Sequence, residues 1–336
     1  MRKAKEWRHQ ARIFFVCVLA ALTCALGGCG GAAHSPANSP APSLAGAADV
    51  AGDAPKDVLL TLDLAGMRAD KMFSVLLTKA EASGDPAVVD FLKHVDHVDL
   101  VGGKTDGKPA AVMVLWGHFP KQPSELSLFA AGSPHALTEA APLASGVREF
   151  SSSDPSDHLF AVSDTVWVAA TGSGADAVRA HFASSKDAPA APQGGDFFHV
   201  KVDGAMIADE GERSPLPGID HAETTITAGT TSIKILLGFK DEDSAKQANA
   251  KLQMIAGMVL AAAASKSKDC AALQKINVDP SLDGSTVTLE IKGIGDAAQA
   301  WDPAKCPKVG GDDEAVVADH PMPIEVPAKP GKHRKH

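Results

Sequence analysis

The chain has 336 residues, a hydrophobic fraction of 45% and a formal charge of −9, an acidic balance that disfavours nucleic acid and anionic lipid headgroups as partners of its folded part. Aromatic residues make up only 5% and tyrosine is absent, which weakens any case for stacking on sugars or bases.

The first residues are basic, with Arg2, Lys3, Lys5, Arg8 and Arg12 against Glu6. An apolar run from Ile13 to Leu26 follows and ends in Gly27-Gly28-Cys29. A basic start, a short apolar core and small closing residues make a secretory signal. The tetrapeptide Leu26-Gly27-Gly28-Cys29 resembles the lipobox of bacterial lipoproteins: aliphatic, small, small, cysteine. That resemblance implies a diacylglyceryl group on the Cys29 thiol, cleavage of residues 1–28 and a membrane-anchored envelope protein. Gly30, where enterobacterial sorting reads Asp as retention in the inner membrane, implies the outer membrane. Removing residues 1–28, with their five bases and one acid, takes the remainder to about −13.

Residues 29–55 are rich in small residues and proline and lack apolar periodicity, so a flexible tether is expected there. The segment 307–336 is Pro-rich and polar with a basic tip, and reads as a disordered tail. Between them the pattern predicts an α+β domain: mainly antiparallel sheet, helices packed on one face, in two related halves, 56–185 and 186–306. Val58–Leu64 reads as a strand, and Lys71–Ala82 and Pro86–His94 as helices. Val98–Val101 and Ala111–Trp116 pair around Gly102-Gly103 and Asp106-Gly107, Pro123–Ala131 starts a helix, and Leu159–Val162 with Thr165–Ala169 form a hairpin. Later, Thr224–Ala228 and Ser232–Leu237 alternate, Asp241 or Asp243 caps a helix that is apolar over Met254–Ala264 and buried at its end, and Asp283-Gly284 makes a hairpin turn.

Three collinear matches suggest the repeat. Leu62-Asp63 and its sequel resemble Val202-Asp203 and its sequel. Val95-Asp96-His97, with a strand closing on Gly117, resembles Ile219-Asp220-His221, with a strand closing on Gly238. Thr165-Val166-Trp167-Val168 before Gly174 resembles Thr286-Val287-Thr288-Leu289 before Gly295. Chain of this kind looks like the uncharacterised duplicated lipoproteins of proteobacterial type, a resemblance that carries no catalytic residues.

Candidate chemistry is sparse. His94, Asp96, His97 and Asp99 are metal-ligand types in one short stretch, and His94 and His97 would share a helical face. The recurrence of Asp96-His97 as Asp220-His221 instead suggests a turn or cap. Thr171-Gly172-Ser173-Gly174 lies between a strand and a helix, where an anion could sit, but it lacks the lysine and spacing of a phosphate loop. Cys270 and Cys306 remain as thiols beside Cys29, and an oxidising compartment favours a disulfide between them. No nucleophile elbow, zinc-protease helix, calcium loop or dinucleotide fingerprint occurs. The expectation is therefore a non-enzymatic binding or structural module without a cofactor. Its partners would be the membrane, through the lipid, and an envelope protein, lipid or polymer, with no nucleic acid. The alternative is a hydrolase or metal enzyme with dispersed residues.

Overall fold

The computed structural model describes residues 45–185, 187–192, 196–204, 206, 218–227, 232–266 and 272–300. Cys29, Cys270, Cys306, the signal segment and the basic tail lie outside them.

Twelve strands form one sheet in which every pairing is antiparallel, so the chain is α+β. Helix α1 (Ala45–Ala51) precedes β1 (Val58–Asp63). Then come α2 (Leu64–Ala69), α3 (Lys71–Ser83) and α4 (Pro86–Lys93). The hairpin β2 (Val95–Thr105) and β3 (Lys108–Gly117) turns on Asp106 and Gly107, both at positive φ, as a two-residue turn matched to strand twist requires. The strands β4 (Thr138–Glu139), β5 (Arg148–Ser151), β6 (Asp157–Ala161) and β7 (Val166–Thr171) lead to α5 (Ser173–Ser184). The remainder comprises β8 (Asp196–Asp203), β9 (Ile219–Thr227), β10 (Ser232–Phe239), α6 (Glu242–Lys266), β11 (Asn277–Asp283), β12 (Thr286–Lys292) and α7 (Ile294–Ala300). In space the strands run β11-β12-β10-β9-β8-β1-β2-β3-β7-β6-β5-β4.

Alternation divides each strand between two cores. Leu60, Leu62, Val98, Leu115, Leu159 and Trp167 face one side, beneath Met67 of α2, Phe73 of α3 and Phe91 of α4. Val101, Val112, Val114, Phe160 and Val168 face the other, beneath Ala47 and Val50 of α1 and Val178 and Phe182 of α5. Ile235 belongs to the first side and also packs with Leu237, Phe239, Ala245 and Ala248, placing the start of α6 there. Helices thus cover both faces rather than the single face expected, because β2, β3, β6 and β7 carry apolar residues at consecutive positions.

Three further expectations change. Residues 45–51, read as tether, form a buried helix: Ala47, Val50 and Ala51 recur at i, i+3 and i+4, and their small side chains let the helix sit close on the sheet. Pro123–Ala131 forms only two short 3₁₀ turns, Pro123–Glu125 and Ser127–Phe129. Met254 and Ile255 of α6 are exposed rather than buried. The cap of α6 is Asp241, whose carboxylate accepts from the Ser244 amide at 2.7 Å and from its hydroxyl at 2.9 Å; these bonds hold the carboxyl below its usual value.

The strand order outward from β1 is β2, β3, β7, β6, and outward from β8 it is β9, β10, β12, β11. Asp63 stands opposite His97, and Asp203 opposite His221. Asp96 and Asp220 are each the extra residue of a bulge. Trp116, opposite His97, takes the place that Gly238 has opposite His221, so Gly117 corresponds to Phe239, one position from the glycine-to-glycine match of the sequences. Val166, not Thr165, corresponds to Thr286. The helices α5 and α7 both follow a glycine at positive φ, Gly172 and Gly293. They pack differently: α5 lies on β3 and β7, whereas Ile294 of α7 joins the opposite core and α7 touches α3.

Gly117 ends β3 against the His94 backbone, and a Cβ there would overlap the His94 carbonyl oxygen. Gly257 in α6 has open space around it. Gly117→Ala should lower stability by about 1–3 kcal/mol through forced backbone shift, while Gly257→Ala should raise it by about 0.5–1 kcal/mol through helix propensity. Urea midpoints of the two variants check this; a Gly117→Ala midpoint equal to that of the parent would contradict the close approach.

Candidate functional site

The four residues singled out for metal chemistry do not converge. His94 caps the end of α4, and its Nδ1 lies 2.8 Å from the His118 carbonyl oxygen. Asp96, pushed out by the bulge, is half-exposed and reaches Arg68 Nη1 at 3.5 Å and His118 Nε2 at 3.8 Å. His97 and Asp99 share the opposite face of β2, with Nε2 to Oδ1 at 3.1 Å. The junction between helix and strand, followed by the bulge, sends neighbouring side chains in different directions. Among the described residues no group of three or more His, Cys, Asp or Glu could hold a metal ion.

What the sheet does assemble is a buried polar row. Thr61 in β1 stands in register with Asp99 of β2 on one side and His199 of β8 on the other, so all three point to the same face. Asp99 is fully buried, and Thr61 and His199 nearly so. Thr61 Oγ1 donates to Asp99 Oδ1 at 2.9 Å, and His199 Nε2 lies 2.9 Å from Glu223 Oε1. Among the described residues Asp99 Oδ2 and His199 Nδ1 have no hydrogen-bond partner. His97 completes the row, with its ring 5.6 Å from that of Trp116.

Threonine, aspartate and histidine in contact invite comparison with a nucleophilic triad, but their order excludes it. In a triad the histidine lies between the hydroxyl and the acid, so that it can take the hydroxyl proton. Here the carboxylate lies between: Thr61 and His97 both meet Asp99 Oδ1. The hydroxyl is also 2% exposed and out of reach of substrate.

A second cluster ties α5 to the outer strands. Glu149 of β5 accepts from Arg179 Nε at 3.0 Å and Nη2 at 2.7 Å, and His158 Nδ1 lies 2.8 Å from the same oxygen. Arg179 Nη1 also reaches Asp176 at 2.7 Å. The bonds to Glu149 hold the guanidinium above its usual value. Sequence reasoning missed this cluster; its signal was Arg179 on a helix carrying Ala175, Val178 and Phe182, whose packing places Arg179 at the edge of the buried face. Next to it Asp157 pairs in register with Thr171; burial pushes its carboxyl up, against the hydrogen bond from Thr171. The Thr171-Gly172-Ser173 segment serves structure: Gly172 is at φ 57° and Ser173 Oγ donates to Thr105 Oγ1 at 3.1 Å.

No family model matches the chain, and no curated protein sequence does. Among solved structures it is similar to TP0453. Crystal form I gives a TM-score of 0.43 at 14% identity, over 75% of this chain and 94% of that one. Crystal form III gives 0.47 at 12% identity, over 76% and 96%. A likeness of that size carries no functional argument.

Thr61→Val should lower stability by about 1–3 kcal/mol, because it removes a donor from a buried carboxylate. Thr61→Val combined with Asp99→Leu should recover part of the loss, since the unpaired acceptor is then gone. An unchanged urea midpoint in the single variant would show that the contact contributes nothing. For Asp157 the sign is the reverse of a paired acid: a raised carboxyl value in the folded protein means that ionisation at neutral pH costs stability, and the cost vanishes once the group is protonated in both states. Asp157→Asn should therefore raise the melting temperature at neutral pH, with the gain shrinking as pH falls below the carboxylate range. Melting curves across that range test it, and a gain that grows on acidification would refute it.

Proposed function

We propose that the protein is a lipid-anchored envelope protein, non-enzymatic, which binds or supports a protein, lipid or polymer of the cell envelope. The observation that carries the reading is the lipobox-like Leu26-Gly27-Gly28-Cys29 behind a basic, apolar leader. The reading includes acylation of Cys29, placement in the outer membrane and a disulfide between Cys270 and Cys306. We also propose that the sheet arose by duplication, with the halves meeting at β1 and β8. The matching strand order and the paired bulges at Asp96 and Asp220 support this.

The non-enzymatic part is supported by what the polar residues do. His94 caps a helix, Thr61 and His97 hold one oxygen of Asp99 inside the sheet, and Glu149 with Arg179 clamps a helix. Each is spent on structure, and the sequence holds none of the motifs that assemble a reaction centre.

Cys29→Ser should abolish labelling by a fatty-acid analogue in cells. Labelling that persists in this variant would overturn the anchor. Recovery of the parent only in the inner membrane would overturn the placement.

A further inference from the structure

The C-terminal half of α6 is apolar in sequence and shows large apolar side chains to solvent where it begins. At 1.5 Å per residue its 25 residues measure about 38 Å. It touches the edge strand β11 most, and β12 and β10 less. The helix turns back after Phe239 and is seated by Ala245, Ala248 and Leu252 against Leu237, Phe239 and Val287. On the outward face, Met254 is 60% and Ile255 42% exposed, and Gly257 is open. From Leu252 to Ser265 the helix contains no charged residue, and Lys251 and Lys266 close the stretch at either end.

Water is a poor medium for such a stretch, since each large apolar side chain left exposed forgoes about 1.5–3 kcal/mol of burial. We propose that this half of α6 lies in the surface of a lipid bilayer, Met254 and Ile255 facing the acyl chains and Lys251, one turn before them, reaching to the headgroup oxygens. The inference deepens the anchoring reading and rests on it for the source of the lipid surface. The chain from Cys29 to Ala45 can span at most roughly 55 Å, so an anchored domain stays within about its own diameter of the membrane, and a modest affinity suffices. The contact is interfacial, because among the described residues no helix is long and apolar enough to cross a membrane. It is also apolar, because the acidic chain is not drawn to anionic headgroups.

The test uses the full-length mature chain carrying Cys29→Ser, so that no acyl group contributes, in flotation with vesicles of equal parts phosphatidylethanolamine and phosphatidylcholine. The unlipidated chain should float with the vesicles. Met254→Asp with Ile255→Asp should weaken this about tenfold or more. Met254→Leu with Ile255→Val should keep it, and so should Val75→Asp, a charge placed on another exposed apolar position. Three results would overturn the inference: no flotation of the unlipidated chain, equal flotation of the Met254→Asp, Ile255→Asp variant, or equal loss with Val75→Asp. A dimer that the paired aspartates dissolve would overturn it too, by assigning the stretch to a second copy. Failure here leaves acylation of Cys29 standing, and loss of labelling at Cys29 leaves flotation standing, so the two readings fail separately.

Discussion

The ladder between β1 and β8, running from Val58–Val202 to Leu62–Phe198, holds a five-stranded and a seven-stranded piece in one sheet. Without it two long inner strands would become open edges, with their amides and carbonyls unpaired. The ladder is braced on one face by Phe73 of α3, whose ring meets that of Phe197 edge-on at 5.3 Å. On the other face it brings Thr61 between Asp99 and His199. The buried polar row exists only because these strands are in this register. A slip of one residue would send Thr61 to the apolar side and Leu60 or Leu62 to the polar one.

Much of the strand layout was legible because turns and alternation are local. Asp106-Gly107 and Asp283-Gly284 mark their hairpins, whereas Gly102-Gly103 lies within β2; Asp63 and Asp203, like Asp96 and Asp220, hold matching places in the strand pairings. The one-residue errors at Gly117 and Thr165 have a single cause: glycine and threonine were matched by identity, whereas pairing aligns positions by face, where Trp116 and Gly238 are equivalent despite their sizes. The helix α1 was hidden by its composition. Ala45-Gly46-Ala47-Ala48 reads as linker, and only packing against Trp116, close enough that Gly46 admits no side chain, makes it a helix of the core. Met254 and Ile255 differ from the expected burial because a run of apolar residues reports hydrophobicity, not which face of the helix meets the sheet.

The candidate site was the least legible part. A cluster in sequence, His94 to Asp99, is dispersed by a cap, a bulge and an alternation. Clusters in space, such as Glu149 with His158 and Arg179, draw on residues far apart in the chain. Burying such groups is costly unless each is paired, and one oxygen of Glu149 serving two donor side chains meets that condition. Asp99 meets it with Thr61 and His97 at one oxygen only. Polar groups satisfied by one another set register and helix placement, which is a different use from catalysis.

The burial of α1 also changes what an anchor at Cys29 would do. A free chain reaching to residue 55 would give the domain a wide range of positions above the membrane. With Ala47, Val50 and Ala51 fixed in the core, the stretch between Cys29 and the first helix comes down to residues 30–44. Effective concentration falls roughly as the −3/2 power of linker length, so this shortening raises the concentration of any domain surface at the bilayer about twofold. It also fixes the point of departure, beside Trp116 and the loop at Pro189, whose carbonyl accepts from the Trp116 indole at 3.3 Å. An anchor that leaves from one fixed place on a rigid sheet restricts which surfaces can turn toward the lipid. A few exposed apolar side chains would then be enough to choose among the orientations that remain, because an acylated Cys29 would already bear the entropy of bringing the domain to the membrane.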